Sequence, residues 1–295
     1  RCVNGMALSG YIIEKYNCMT DAYTCNRLVE EAEKAGVDLR IVGIYDTALT
    51  EGQVINDSVK LKKCDFVINR YKWGKIREAI NGLARRSYNL LEAFAVHVNK
   101  YEQIKRLRSE AFRMPRYICA TAAISYQMLV SLLGSPFVAK GLESSMGEEV
   151  FLIENEGDYG DLLSAYGKDK EWLFQEFIQT SRGRDLRIFS IRGQVVACMK
   201  RVSQGDFRAN FALGASIEPY GITAQIQDAA KDVYAQTGLD FLGIDLLFGA
   251  DELVFCEINV MPGLEGIEKA SGVNVAGKVI RTIKGDFIHD ESRSL

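Results

Sequence analysis

The chain holds 295 residues, 47% hydrophobic and 25% charged, which is the length of about two domains and an ordinary globular composition. Its 36 basic and 39 acidic residues leave a formal charge of −3, which argues against a polyanion-wrapping protein and sets nucleic acid aside as a partner. No apolar run nears the ~18–20 residues of a membrane span, and Arg1-Cys2-Val3-Asn4 does not read as a signal peptide.

In chain order, the first ninety residues alternate strand and helix. Runs 10–13 and 39–45 are strand-like. Between them 21–35 places Leu28, Ala32 and Ala35 at helical spacing and stops at Gly36. A third strand, 64–69, precedes a charged helix at 75–83. This rhythm predicts a small parallel sheet with helices on its faces. No Gly-x-Gly-x-x-Gly fingerprint accompanies it, so it does not read as a dinucleotide site.

From about residue 89 the pattern changes. Residues 90–111 read as helix, 115–120 as strand, 123–133 as a helix ending at Gly134, and 136–140 as strand. Then come β-type runs at 172–178, 185–191 and 194–201, with Arg192-Gly193 as the tight turn. An amphipathic helix, 222–237, stops at Gly238 before a last hairpin of 241–248 and 253–259.

Only His97 and His289 are present, so a multi-histidine metal site is excluded and a histidine-centred triad disfavoured. Cysteines at 2, 18, 25, 64, 119, 198 and 256 form no Cys-x-x-Cys and read as reduced thiols of a cytoplasmic protein. Chemistry therefore falls to carboxylates, lysines, arginines and backbone.

The last hairpin embeds Asp245 and Glu257 in apolar strands, where an unpaired charge is costly. A three-residue loop, 250–252, would pair Gly249 with Leu253 and set Asp245 opposite Glu257, with Asn259 on the same face. Two carboxylates and an amide oxygen suit a hard cation, Mg²⁺ or Mn²⁺, bound jointly with phosphate. A solvated edge hairpin is the competing reading. Lys140 leaves its strand ahead of the small-residue loop 141–147, so an ammonium and backbone N–H groups could meet phosphate oxygens. An ordinary strand–loop junction would look the same. Asp185 and Arg187 share one strand face, and arginines 187, 201 and 208 could hold a phosphoryl group, unless they form a solvated salt-bridged surface.

Together and in this order, these segments resemble the ATP-grasp superfamily, specifically ligases similar to the RimK ribosomal-protein glutamate ligase. The resemblance rests on Gln204-Gly-Asp-Phe-Arg-Ala-Asn210, Gly243-Ile-Asp245, and Cys256-Glu-Ile-Asn-Val-Met-Pro-Gly-Leu-Glu-Gly-Ile-Glu-Lys269, continuing through Gly272 to Ile280. It spans roughly 89–283 and is weak in the first domain. It implies an α/β (α+β) ATP-grasp fold preceded by a small Rossmann-like α/β domain at 1–88. The grasp domain, 89–295, would comprise a lid subdomain at about 116–178 and a metal-binding subdomain at 185–283.

Position by position, the resemblance implies that Lys100 and Lys140 are nucleotide-phosphate lysines and that Gly147 belongs to the phosphate loop. Glu176 and Phe177 match the adenine-reading strand, Asp185 lines the nucleotide site at the ribose, and Arg208 and Asn210 match an Arg-x-Asn nucleotide contact. Arg187 and Arg201 match arginines near the γ-phosphate and acyl-phosphate, while Asp245, Glu257 and Asn259 match the divalent-metal ligands. Departures are Asn99 before Lys100, Ser144 and Glu149 where glycine is common, and Val260-Met261 ahead of Pro262.

The implied activity is that of an ATP-dependent carboxylate–amine ligase working through an acyl-phosphate. It would add an amino acid such as glutamate to a peptide, protein or small-molecule carboxylate. ATP and two Mg²⁺ or Mn²⁺ ions would serve it, in a cytoplasmic homo-oligomer without membrane contact. The rivals are a grasp-type kinase, in which the acceptor keeps the phosphate, and a nucleotide-binding pseudo-ligase.

Overall fold

The apolar runs of the first ninety residues assemble as the βα rhythm predicts. In the computed structural model, which describes residues 7–17, 23–144, 148–211 and 214–293, strands β1 (Ser9–Glu14), β2 (Asp38–Gly43), β6 (Cys64–Asn69) and β7 (Ala84–Tyr88) form a parallel sheet in the order β2-β1-β6-β7. Helix α1 (Tyr23–Lys34) buries Cys25, Leu28 and Ala32 and ends at Gly36, whose φ of +69° favours glycine. Helix α2 (Lys75–Asn81) precedes β7. Three short strands that the sequence reading did not separate, β3 (Thr47–Thr50), β4 (Gln53–Asn56) and β5 (Val59–Lys60), form an antiparallel flap.

The expected helix over 90–111 is instead two short ones, α3 (Leu91–His97) and α4 (Lys100–Arg106). The break has a local cause: the Asn99 side chain accepts from the N–H groups of Tyr101 and Glu102 at 3.0 and 3.2 Å, starting a new helix. Next, β8 (Tyr117–Thr121), β9 (Phe137–Gly141), β10 (Val150–Ile153) and β11 (Glu171–Glu176) form an antiparallel sheet in the order β10-β9-β11-β8. Helices α5 (Tyr126–Leu133) and α6 (Glu156–Tyr166) accompany it.

The final unit is a five-stranded antiparallel sheet, β14-β13-β12-β15-β16. Its strands are β12 (Arg184–Ile191), β13 (Gln194–Val202), β14 (Ser216–Pro219), β15 (Phe241–Phe248) and β16 (Leu253–Asn259). Helices α7 (Ala224–Thr237), α8 (Glu265–Ser271) and α9 (Val275–Arg293) complete it. One hydrophobic cluster joins Ile12, Phe66 and Tyr88 of the first sheet and Leu28 of α1 to Phe189 and Phe241 of the last sheet, Ile267 of α8 and Val279 of α9. The β8–β11 sheet keeps a separate core around Phe137, Trp172 and Phe174.

Candidate active site

Sheet register places the charged residues. Arg187 pairs with Met199 on one side and Asp245 on the other, and Asp245 pairs with Glu257. Asp185 pairs with Arg201, and Gly243 with both Phe189 and Asn259. Directly paired residues project to the same side of a sheet. Asp185, Arg187, Arg201, Asp245, Glu257 and Asn259 therefore share one face.

The hairpin reaches that register by a route the sequence reading did not foresee. Phe248, not Gly249, pairs with Leu253, so the connection is a residue longer than expected. That alone would have set Asp245 opposite Cys256. A β-bulge inserts Cys256 and brings Glu257 back opposite Asp245.

Four of these charges are buried together. Arg201 grips Asp185 through Nε and Nη2 at 2.7 and 2.6 Å and also donates to Asp245 Oδ2 at 2.9 Å. Arg187 Nη2 donates to the same Oδ2 at 2.7 Å, and its Nε donates to Oδ1. Burial pushes the Asp245 carboxyl up, but the Arg187 and Arg201 guanidiniums outweigh it and hold the group at about 2. Among the described residues Asp185 has Arg201 as its direct partner, and burial raises it to about 6. Three of the roughly four lone-pair directions of a carboxylate are thus engaged at Asp245, leaving space for about one further contact.

The lysines arrive from other elements. Lys140, buried at the end of β9, points its ammonium at the bulge, 3.4 Å from the Cys256 carbonyl and 3.6 Å from its sulfur. Lys100, the first residue of α4, lies 3.9 Å from Glu257 Oε2. Burial lowers its pKa, as does Lys140, while Glu257 opposes the change. Lysines from two elements and a carboxylate from a third thus converge on Cys256–Glu257.

The ends of the loop after β9 are tied down. Leu142 O accepts from Lys100 N at 2.7 Å, and Ser144 O from Lys100 Nζ. Glu149 turns away to Lys170 at 2.5 Å, and Gly141 leaves room for it, since a Cβ there would lie 2.0 Å from Glu149 Oε2. The departure to glutamate therefore sends its charge to a lysine. Asn99 is equally benign, because asparagine caps a helix as well as aspartate does. Gly147 lies outside the described residues.

The remaining expected residues are more scattered. The Glu176 carboxylate is held by Arg113 and Arg116, at 2.5 and 3.0 Å, and Phe177 lies edge-on to Phe207 at 6.2 Å. Arg208 pairs with Asp206 at 2.6 Å, and the Asn210 carbonyl accepts from Ala215 N at 3.4 Å. His97 is a core residue, with Nδ1 2.7 Å from Ala93 O.

Lys72 is the neighbour that sequence reasoning missed. It follows β6 and donates to Glu143 O at 2.5 Å. The usable signal was its place just beyond the carboxyl end of a parallel strand, where α/β sheets gather ligand-binding groups.

Among the described residues no cluster of three His, Cys, Asp or Glu side chains could hold a metal. The donor set fits a hard divalent cation only as two opposed carboxylates plus the Asn259 amide, completed by ligand oxygens.

A carboxylate-bearing hairpin facing a lysine-bearing antiparallel sheet, after an N-terminal parallel sheet, is the arrangement of the ATP-grasp class. The chain belongs to the RimK-like ATP-grasp family, whose domain matches residues 98–283. It is 40% identical over 159 residues to a protein of Thioalkalivibrio sulfidiphilus named probable alpha-L-glutamate ligase, covering 53% of each chain. It thus spans about half that relative's length. A Legionella pneumophila protein of the same name is 30% identical over 276 residues, covering 89% of this chain and 91% of its own. The solved ATP-grasp ligase PsnB, complexed with minimal precursor, aligns at a TM-score of 0.71 and 19% identity, over 95% of this chain and 99% of that one. PsnB has also been solved with Mg and ADP.

Proposed function

We propose that the chain is an ATP-dependent carboxylate–amine ligase that joins glutamate to a carboxylate acceptor. The convergence of Lys100, Lys140 and Glu257, beside the buried Asp245 row, carries this reading. The lysines and arginines would offset triphosphate charge, while Asp245, Glu257 and Asn259 would hold Mg²⁺. The metal would supply Lewis-acid polarisation of phosphoryl oxygens. Transfer of the γ-phosphoryl to the acceptor carboxylate gives an acyl-phosphate and ADP. The amine then attacks the acyl carbon, releasing phosphate and leaving an amide. No nucleophile from the chain is needed, which suits a site without histidine. Positioning and electrostatics carry the acceleration.

Glutamate as the amine rests on the names of the relatives. A peptide acceptor is supported by the precursor peptide PsnA2 with which PsnB has been solved. The five described cysteines are free thiols, as suits a reducing compartment such as the cytoplasm.

Hydroxylamine tests the reaction, because an activated acyl-phosphate needs no amine-specific pocket to react once formed. With ATP, Mg²⁺ and a carboxylate acceptor, hydroxylamine should give a hydroxamate and stoichiometric ADP. A stable phosphoester on the acceptor would show a kinase, and ATP binding without ADP release a pseudo-ligase.

A further inference from the structure

Two ammonium groups from different domains donate to consecutive carbonyls of one loop. Lys100 Nζ donates to Ser144 O, and Lys72 Nζ donates to Glu143 O at 2.5 Å. Lys100 opens α4 beside the metal-binding hairpin, whereas Lys72 belongs to the first domain, three residues beyond β6. Lys72 is half-buried and stands within the electrostatic reach of Lys100 and Glu257. Burial, with Lys100 adding to it, lowers its pKa, and Glu143, Glu148 and Glu257 act the other way. Two residues earlier, Arg70 donates to the Pro262 carbonyl at 3.1 Å, just past Asn259. The Arg70–Lys72 segment thus bridges from the turn after the metal-binding strand to the loop after β9. Its ammonium lies on the Glu257 side of the site, whereas Glu176 and Phe177 sit at the far end of β11.

We propose that Lys72 is a nucleotide-binding residue supplied by the first domain, exchanging the Glu143 carbonyl for the terminal phosphate of the bound triphosphate. This rests on the ligase reading above. A backbone carbonyl is a neutral acceptor, and a phosphate oxygen is a stronger, charged one. Lys72 therefore changes partner when triphosphate arrives, and the first domain senses whether the γ-phosphate is present. A lysine that only tethers the loop would behave differently, since loosening Glu143 would weaken every nucleotide alike.

The test measures binding of the non-hydrolysable triphosphate AMPPNP, of ADP and of AMP, each with Mg²⁺, by isothermal titration calorimetry. The parent chain is compared with Lys72→Met, Lys72→Gln and Lys72→Arg, with thermal unfolding as the check on folding. Loss of the charge should weaken AMPPNP by about tenfold and ADP and AMP by less than about twofold, with Lys72→Arg close to the parent. If Lys72→Met does not fold, Lys72→Gln decides. Equal weakening of all three nucleotides, or no change in any, overturns the assignment of Lys72 while leaving the ligase reading in place. A folded parent that binds neither AMPPNP nor ADP overturns the ligase reading and this inference with it.

Discussion

Arg201 and Glu257 share a sheet face yet answer to different forces. Arg201 is 5% exposed and donates to two buried carboxylates. Replacing it with methionine would strip Asp185 of its paired guanidinium and take one of the three bonds at Asp245, which keeps Arg187, and removing one partner of such a network costs about 3–5 kcal/mol. Arg201→Met should therefore lower the urea midpoint sharply, before any assay of activity. Glu257 is partly exposed and meets its lysine only at 3.9 Å, a contact contributing little to stability. Glu257→Gln should leave thermal unfolding nearly unchanged while abolishing turnover and weakening Mg²⁺ binding. An active Glu257→Gln enzyme would refute the metal assignment.

At the scale of elements, the β15–β16 hairpin organises the site, and Gly243 lets it close. A Cβ there would lie 3.2 Å from Pro262 Cβ, 3.3 Å from Asn259 Cβ and 3.5 Å from Arg187 Cδ. Gly243→Ala should cost about 1–3 kcal/mol through overpacking, and by displacing Asn259 it should reduce Mg²⁺ affinity more than nucleotide affinity. Calorimetry with each ligand separates the two. The hairpin strands were legible in the sequence because apolar runs bounded by turn residues leave few alternatives. The bulge at Cys256 was not, because alternation reports which face a residue takes and is silent on an extra residue that restores it. The pairing of Asp245 with Glu257 was thus anticipated through a loop one residue too short. The 90–111 helix failed differently: its apolar spacing runs on through Asn99, and the cap that breaks it is a side-chain hydrogen bond rather than a change of pattern. Lys72 was passed over: its place beyond a parallel strand marks it as a ligand-side residue, but nothing in its neighbourhood of sequence reveals that Glu143 folds against it.

Across the whole molecule, the N-terminal parallel sheet is joined to the rest by more than chain continuity. The shared apolar cluster crosses residue 88, and a polar seam runs beside it. Arg27 of α1 reaches Glu268 at 3.2 Å and Asn274 at 3.1 Å, and Asn274 donates to Glu31 at 2.9 Å. Lys34, then Asn274, hold the Glu31 carboxyl down at about 2 from an ordinary 4.5. A carboxylate depressed in the folded state stabilises fully above its unfolded pKa, and that contribution is lost as pH falls from about 4.5 toward 2. Melting temperatures between pH 5 and 3 should therefore fall less steeply for Glu31→Gln than for the parent. Identical slopes would mean that the seam contributes nothing to the acid response.

The long turn and compensating bulge of the last hairpin also suggest a place to attach a reporter. Gly249 N–H closes the tip on Glu252 O at 2.8 Å, and residues 250–252 are exposed. Just inside, the Arg113 backbone clamps β16, donating to Leu253 O and accepting from Phe255 N–H, both at 2.9 Å. The clamp and the bulge stand between the tip and the carboxylates. A fluorescent peptide tag spliced in at Asp251 would lengthen only the outer loop, leaving Asp245 opposite Glu257. The hairpin would then carry its own optical handle for following nucleotide capture.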